Sequence, residues 1–286
     1  MIGPLYSRCR CDSATRSASE DQMTKRALCV GINDYPGTGS DLSGCVNDAD
    51  DWAEVLNARG YTVTKLLDSQ ATRGRMASAL NDLIESGTAG DSVVFTFSGH
   101  GSWLPDDNGD EPDGRDEMLC PYDVSDEQYL MDDDLAEIFA KKKKDVLLYF
   151  ISDSCHSGSV AKFASDPLKG KDRMPKIRLL PPLEFVKDEE LRERIPLAMR
   201  APSSAKGEVY PALLLAGCKD VEFSYDAMFD RRANGAMSRA AIETLKDNPA
   251  TPQDWFRAIR KRLPSQQYPQ TPQLFGGTKA KRGPMF

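Results

Sequence analysis

Two stretches of the sequence predict an α/β fold, a three-layer αβα sandwich in which helices cover both faces of a mostly parallel sheet. Each is a continuous apolar run that breaks abruptly into small and polar residues. Residues 146–151 lead into Asp153-Ser154-Cys155, and residues 92–97 lead into Ser98-Gly99-His100. Such runs are typical of strands buried on both faces of a parallel sheet. The polar residues therefore fall beyond the carboxyl ends of two strands, where α/β proteins place their chemistry.

The other elements follow from periodicity and turn residues along the chain. Residues 26–32 predict the first buried strand, a helix capped by Asn47 extends to Gly60, and the alternating residues 61–67 predict a second strand. We then expect helices at 72–84, around 135–139, and at 189–194, 234–246 and 252–263, and a further strand at 210–217.

Composition limits the class of protein. The 286 residues are 40% hydrophobic, which allows a proper core in one α/β domain. A net charge of −7 argues against nucleic acid as the main partner. No apolar run approaches the roughly 18 residues of a membrane span. The seven cysteines are scattered and odd in number, which favours a reducing, cytoplasmic compartment. Nothing in the sequence calls for an organic cofactor.

The first residues differ in character from the rest. Residues 1–22 are rich in serine and arginine and show no periodicity, which predicts a disordered tail. Met23 directly precedes the first strand and is therefore a candidate native start. Cys9 and Cys11 are too closely spaced, and lack the partner pair, for a four-ligand zinc site.

Cys155 is the candidate nucleophile, and a thiol nucleophile needs a base or thiolate partner. The chain has two histidines, His100 and His156. His156 directly follows Cys155, and adjacent residues at a turn usually point apart. His100 lies at the end of a separate strand, so we predict that it pairs with Cys155.

These residues resemble a known family. Ser98-Gly99-His100-Gly101, followed by residues 153–158 (Asp-Ser-Cys-His-Ser-Gly), is similar to the caspase-fold peptidases, and to metacaspases rather than animal caspases. The resemblance spans about residues 25–275. It includes residues 31–33, 44–49, 116–117, 215–220 and 270–274.

The resemblance implies a caspase-like fold and a cysteine endopeptidase that cleaves after arginine or lysine through a thioester. The catalytic dyad would be His100 and Cys155, and the oxyanion would be held by the N–H groups of Gly101 and Cys155. Asp48, Ser98 and Asp153 would line the pocket for the basic residue. Asp48 has a second interpretation, as a favourable charge at a helix N-terminus.

Calcium activation is also implied by the resemblance, with ligands at Asp116, Asp132 and Asp133. A solvated acidic loop explains the same residues, since residues 106–117 hold seven acids. The family's fourth ligand position is occupied by Lys162, whose charge opposes Ca²⁺. The sequence leaves open whether the site is weak, rebuilt or absent.

The resemblance divides the domain into a large-subunit region at 23–161, a linker at 162–208 and a small-subunit region at 209–286. The linker is either an uncut surface loop or a site of self-cleavage. The lysine run at 141–144 complements a helix C-terminus, and a self-cleavage site there is the alternative. Basic residues in the linker that suit self-cleavage are Lys169, Lys171, Arg173, Lys176 and Arg178.

Two other functions remain open. A catalytically silent caspase-fold scaffold would work by binding alone, and a thiol acyltransferase or transpeptidase would use the same dyad. A zinc site at Cys155 and His156 fails on ligand count. Cys218 is expected to be a buried apolar residue, because no histidine is left to pair with it. The resemblance also favours a monomer that acts on proteins or peptides.

Overall fold

The structure, a computed structural model, describes residues 23–107, 109, 114–155, 175–199, 211–219 and 222–286. The predicted tail at 1–22 lies outside these residues. The strands are β1 (Lys25–Gly31), β2 (Thr62–Leu67), β3 (Ser92–Ser98), β4 (Gly101–Pro105), β5 (Arg115–Leu119), β6 (Leu130–Met131), β7 (Leu147–Asp153), β8 (Lys176–Ile177), β9 (Leu213–Ala216), β10 (Tyr225–Phe229), β11 (Arg232–Gly235) and β12 (Gln273–Phe275). The helices are α1 (Cys45–Asn57), α2 (Arg73–Glu85), α3 (Asp132–Ala140), α4 (Glu189–Ala198), α5 (Ala236–Leu245), α6 (Pro252–Arg260) and α7 (Thr278–Lys281).

The central sheet confirms the predicted α/β class. In the described residues it has six strands in the order β12-β9-β7-β3-β1-β2. All neighbours are parallel except β12, which pairs antiparallel with β9. Two small antiparallel sheets, β4-β5-β6 and β11-β10-β8, flank it.

Helices cover both faces of this sheet, as predicted. Strand β1 shows why, because its side chains alternate between two apolar clusters. Leu28 and Val30 pack in one cluster with residues of α2 and α3, whereas Ala27 and Cys29 pack in the other with residues of α1, α5 and α6. A strand that buries both faces must be apolar at every position, which is the pattern that predicted it.

Helix α1 begins at Cys45, three residues earlier than a cap at Asn47 predicts. Asn47 is not its cap; the side-chain oxygen of Asn33 accepts hydrogen bonds from the N–H groups of Cys45 (2.8 Å) and Val46 (3.4 Å). The Asn47 amide instead donates to the carbonyl of Ala233 at 2.8 Å. A cap supplied by a residue outside the helix leaves no local signal in the sequence.

Two regions predicted as helix or loop contain strands. Residues 232–235 form β11 of a hairpin, whose turn residues Asp230 and Arg231 have left-handed φ values of 48° and 70°. The helix predicted from residue 234 therefore starts at Ala236. The acidic segment predicted as a loop contributes β5 to a small sheet.

Part of the predicted linker is built into the domain. Residues 175–199 are not a surface loop, because they form β8 and α4 and bury Leu180, Phe185 and Ile195 in the core. The predicted helix at 189–194 is confirmed and extends to Ala198. Lys169, Lys171 and Arg173 lie outside the described residues. Within the described part of the chain, no helix has the length and apolar character needed to cross a membrane.

Candidate active site

The carboxyl ends of three neighbouring strands meet at one edge of the sheet. In the register of β1, β3 and β7, Gly31 is opposite Ser98, and Ser98 is opposite Asp153. The chain continues from β3 to His100 and from β7 to Cys155, so the two segments that carry the predicted dyad leave the sheet side by side. His156 lies outside the described residues.

His100 is buried and held on several sides. Its ring Nε2 lies 2.6 Å from the carbonyl oxygen of Ser40, so in the neutral ring Nε2 carries the proton and donates it. Its backbone N–H donates to the Tyr35 hydroxyl at 2.8 Å, and the two rings lie 4.7 Å apart. The Nδ1 atom has no hydrogen-bonding partner among the described residues and is free to accept a proton.

Cys155 is fully buried, and the N–H of Ser224 donates to its sulfur at 2.6 Å. The backbone N–H groups of Cys155 and Gly101 both donate to a single atom, the carbonyl oxygen of Arg178, at 3.1 and 3.0 Å. These are the two groups that the resemblance assigned to the oxyanion. The segments from β3 and β7 therefore converge on one carbonyl oxygen.

The expected pocket residues are brought together beside this oxygen. Asp48 is fully buried. Its carboxylate accepts hydrogen bonds from the Ser98 hydroxyl at 3.1 Å, from the Asn234 side-chain amide and from the Gly235 N–H. Asp153 is also fully buried. Since Asp48 faces this cluster, its charge does more than complement the N-terminus of α1.

Arg178 occupies the pocket. Its Nη2 lies 2.6 Å from Asp48 and 3.1 Å from Asp226, while its Nη1 lies 3.2 Å from the Asp153 carboxylate, 3.0 Å from the Asp153 carbonyl and 3.4 Å from the Ser98 hydroxyl. The side chain has no exposed surface. A planar guanidinium suits carboxylates on two sides because its nitrogens form a rigid fork.

The backbone of Arg178 is held as firmly as its side chain. Its N–H donates to the Ser224 carbonyl at 3.0 Å, and β8 just before it pairs antiparallel with β10. On the other side, Leu180 N–H donates to the Gly101 carbonyl at 3.0 Å. The segment thus crosses the site as an added strand, with Arg178 at its centre.

Burial and charge shift the ionisation of these groups. Burial raises the pKa of Asp48 to about 6, against the opposing effect of the Arg178 charge. Burial alone lowers the pKa of Arg178, but the carboxylates, Asp153 foremost, raise it well above its usual value. Burial lowers the pKa of His100 to about 4, and the Arg178 charge adds to that effect. The ring is therefore neutral at physiological pH in this arrangement.

Asp226 and Ser224 were missed from the sequence. The oxygens of Asp226 also accept from the N–H groups of Ser43 (2.8 Å) and Gly44 (2.9 Å). The Ser224 hydroxyl donates to Asp153 at 2.6 Å. Both belong to a short segment with no apolar run, so only its position next to Cys218 could have drawn attention to it. Cys218 is buried, as expected.

The residues expected to bind calcium do not form such a site in the described residues. Asp132 and Asp133 lie in the first turn of α3, and Asp116 lies on β5. Across the described ranges, no three histidine, cysteine or carboxylate side chains are grouped so as to hold one metal ion. Lys162 lies outside them. Calcium activation therefore stays a prediction.

The geometry agrees with a comparison to known families. The family model described as the caspase domain of peptidase family C14 matches residues 24–282. The chain belongs to the caspase-domain peptidases. In this caspase domain, the match covers the segments that carry His100, Cys155 and Arg178.

Metacaspases are among the proteins to which the chain is similar. Metacaspase-1 of Coccidioides immitis is 32% identical over 87% of this chain and 61% of its own length, and metacaspase-1A of Aspergillus clavatus is 31% identical over 87% and 65%. The chain thus spans under two thirds of the length of these relatives. A solved Geobacter sulfurreducens protein is 29% identical with a TM-score of 0.69, covering 88% of this chain and 92% of that one. Caspase-1 of Spodoptera frugiperda, 15% identical with a TM-score of 0.55 over 88% of this chain and 85% of that one, shares the fold.

Proposed function

We propose that this caspase domain is a cysteine endopeptidase that cleaves peptide bonds after arginine and, more slowly, after lysine. One observation carries the proposal. Arg178 places its guanidinium among three carboxylates while its carbonyl oxygen accepts from the N–H groups of Gly101 and Cys155. A residue held at both points presents the bond that follows it to the sulfur of Cys155.

In the proposed mechanism, the thiolate of Cys155 attacks the carbonyl carbon of the basic residue. His100 takes the thiol proton at Nδ1, the ring atom left free by the Ser40 contact, and delivers it to the leaving amine. The charge that develops on the carbonyl oxygen is stabilised by the N–H groups of Gly101 and Cys155. Each such donor is worth roughly 3 kcal/mol in the transition state. Water then hydrolyses the thioester.

The pocket favours arginine because its carboxylates lie on two sides of the guanidinium. The carboxylates of Asp48 and Asp226 both contact Nη2 of Arg178, and the carboxylate of Asp153 contacts Nη1. A lysine ammonium is a single point charge and cannot reach both sides at once, so we expect arginine to be preferred by roughly tenfold. An aspartate would face like charges at a cost of several kcal/mol.

A panel of reporter peptides tests the proposal. We expect kcat/KM to decrease in the order arginine, lysine, aspartate, and no cleavage by the Cys155→Ala variant. Faster cleavage after aspartate than after arginine would contradict the acidic pocket. No cleavage of any peptide by the parent, together with no labelling of Cys155 by a thiol-reactive arginine peptide, would favour the silent scaffold. Running the panel with and without Ca²⁺ tests the predicted calcium activation.

We also infer a site of self-cleavage from the same geometry. Of the five basic linker residues named from the sequence, Lys176 and Arg178 are described, and only Arg178 of those two lies in the pocket. Lys176 instead donates from Nζ to the Asp41 carbonyl at the edge of β8. The bond between Arg178 and Leu179 is the one presented to Cys155, so we assign self-cleavage to it.

The expected result of incubating the purified chain is a new N-terminus at Leu179. Mass spectrometry of the fragments locates it, and Cys155→Ala should leave the chain intact. Lys176→Ala is the matched control, because it removes a neighbouring basic side chain outside the pocket, and it should cut at the same bond. A cut after Lys176 with none after Arg178 would contradict the assignment.

The proposed enzyme needs a free thiol and a peptide partner. The described cysteines are free and buried, which suits a reducing compartment such as the cytoplasm. Its partners would be proteins or peptides that present arginine or lysine in an extended segment. The strand pairing of β8 with β10 supports this, because it binds the backbone of the segment as well as its side chain. A monomer remains the expected state.

A further inference from the structure

The two sides of the proposed cleavage site are held very differently. Before the bond, the two residues of β8 pair with β10; Lys176 is exposed and Ile177 is partly exposed. After the bond, Leu179 and Leu180 are 3% and 0% exposed. Leu180 lies in the same apolar cluster as Phe185, which is 2% exposed. The downstream side is therefore part of the core.

Polar contacts hold the downstream side in register with the catalytic segment. The Ser102 hydroxyl donates to the Leu180 carbonyl at 2.6 Å, and Leu180 N–H donates to the Gly101 carbonyl at 3.0 Å. Further along, the Arg115 guanidinium donates twice to the Ala198 carbonyl, at 3.1 and 2.9 Å. None of these contacts depends on the bond between Arg178 and Leu179 being intact.

We propose that, after self-cleavage, the new amino group of Leu179 stays at the active site and acts as an acyl acceptor, so that the cut enzyme joins arginine-ended peptides to its own chain. This inference rests on the proposed function. The acyl donor would be a peptide whose arginine enters the pocket. Its arginine would be either C-terminal and activated as an ester or thioester, or internal and followed by a bond that the enzyme cleaves.

The reaction balances without an added oxidant or cofactor. Cys155 displaces the leaving group of the donor and forms a thioester to its arginine. The neutral amine of Leu179 attacks the thioester carbonyl, the C–N bond forms, the C–S bond breaks, and the amine proton passes through His100 to the departing sulfur. An α-amino group has a pKa of about 7.7–8.0, so a large fraction is neutral at pH 8.

Proximity decides between water and this amine. Hydrolysis is the outcome when the leaving amine diffuses away after cleavage. Here the amine is tethered by buried Leu180 and by two hydrogen bonds within one residue of it, so its effective concentration at the thioester is high. Intramolecular groups in such positions compete strongly with solvent.

The experiment uses the self-cut enzyme and a millimolar acetyl-glycyl-arginine thioester at pH 8. We expect the fragment that begins at Leu179 to gain one acetyl-glycyl-arginyl group at its α-amine. Tandem mass spectrometry should show at least roughly tenfold more modification there than at any lysine. Cut enzyme blocked with iodoacetamide should gain none.

Ser102→Ala, which removes one hydrogen bond to the retained segment, should lower the ratio of ligated to hydrolysed donor. Ser86→Ala is its matched control: it removes a similar hydroxyl–carbonyl bond (Ser86 to Leu83, 3.1 Å) at the end of α2 and should leave the ratio unchanged.

Each other outcome decides a different point. A cut at Arg178 with hydrolysis of the donor but no adduct at Leu179 would overturn the ligation and leave the peptidase intact. Hydrolysis of the donor without any cut at Arg178 would overturn both the ligation and the assigned self-cleavage. No turnover of the donor at all would overturn the proposed function itself.

Discussion

Replacing Gly235 by alanine is expected to lower kcat/KM for an arginine reporter by roughly 100-fold or more. A Cβ atom at this position would lie 2.1 Å from Asp153 Oδ2 and 2.5 Å from Arg178 Nη1. At those distances the Asp153 carboxylate or the guanidinium in the pocket must move. Each hydrogen bond to a charged group that is lost costs about 1.5–3 kcal/mol. Gly235 has φ −71° and ψ 137°, which alanine adopts freely, so the glycine is required for space alone.

The controls separate a blocked pocket from a damaged fold. Gly74→Ala in α2 is the matched variant, because a Cβ there meets nothing within 4 Å, and it should leave kcat/KM unchanged. Thermal unfolding of both variants should remain cooperative. In uncut Gly235→Ala, iodoacetamide should label Cys155 faster than in the uncut parent, because Arg178 no longer covers the site. Cleavage after arginine within a few fold of the parent would contradict the pocket described here.

The strands that carry the dyad were predictable because burial on both faces requires apolar residues at every position. Residues 92–97 and 146–151 satisfy that requirement, and β3 and β7 lie where they were expected. Asp48, Ser98 and Asp153 were found through the family motifs, and the structure groups them. The sequence could not choose Arg178 among five basic residues, because its partners Asp48 and Asp226 are 130 and 48 residues away along the chain.

The errors have the same physical origin. The start of α1 was misplaced because its cap, Asn33, lies 12 residues before the helix rather than at its first turn. Residues 232–235 were assigned to a helix because they directly precede one, but their pairing with β10 makes them a strand. Local periodicity reports which face of an element is buried. It does not report which distant side chain completes a cap or an ion pair.

Removal of the Arg178 side chain is expected to destabilise the uncut chain strongly. In Arg178→Ala, three buried carboxylates lose the cation that lies among them. Breaking a buried ion pair from one side typically costs about 3–5 kcal/mol, because the remaining charge is left unpaired. Measurement should be made in the Cys155→Ala background, so that both chains stay uncut, by chemical denaturation at pH 7.5. Arg257→Ala is the matched control: it removes an exposed ion pair with Asp254 and should cost about 0–1 kcal/mol.

Two measurements test whether unpaired carboxylates cause the lost stability of Arg178→Ala: its dependence on pH and its response to an arginine ligand. Asp48 already has a pKa of about 6 with the guanidinium present, and it rises further without it. Between about pH 6 and the raised pKa of Asp48 in the variant, the folded variant binds more protons than either the unfolded chain or the folded parent. Its stability therefore increases as the pH falls through that range, and the gap to the parent narrows. At pH 7.5, N-acetyl-arginine amide should raise the Tm of Arg178→Ala and leave that of the parent unchanged, since only the variant has a vacant pocket. A variant as stable as Arg257→Ala, with no response to the ligand, would mean that the carboxylates do not depend on Arg178 and would remove the main support for cleavage after arginine.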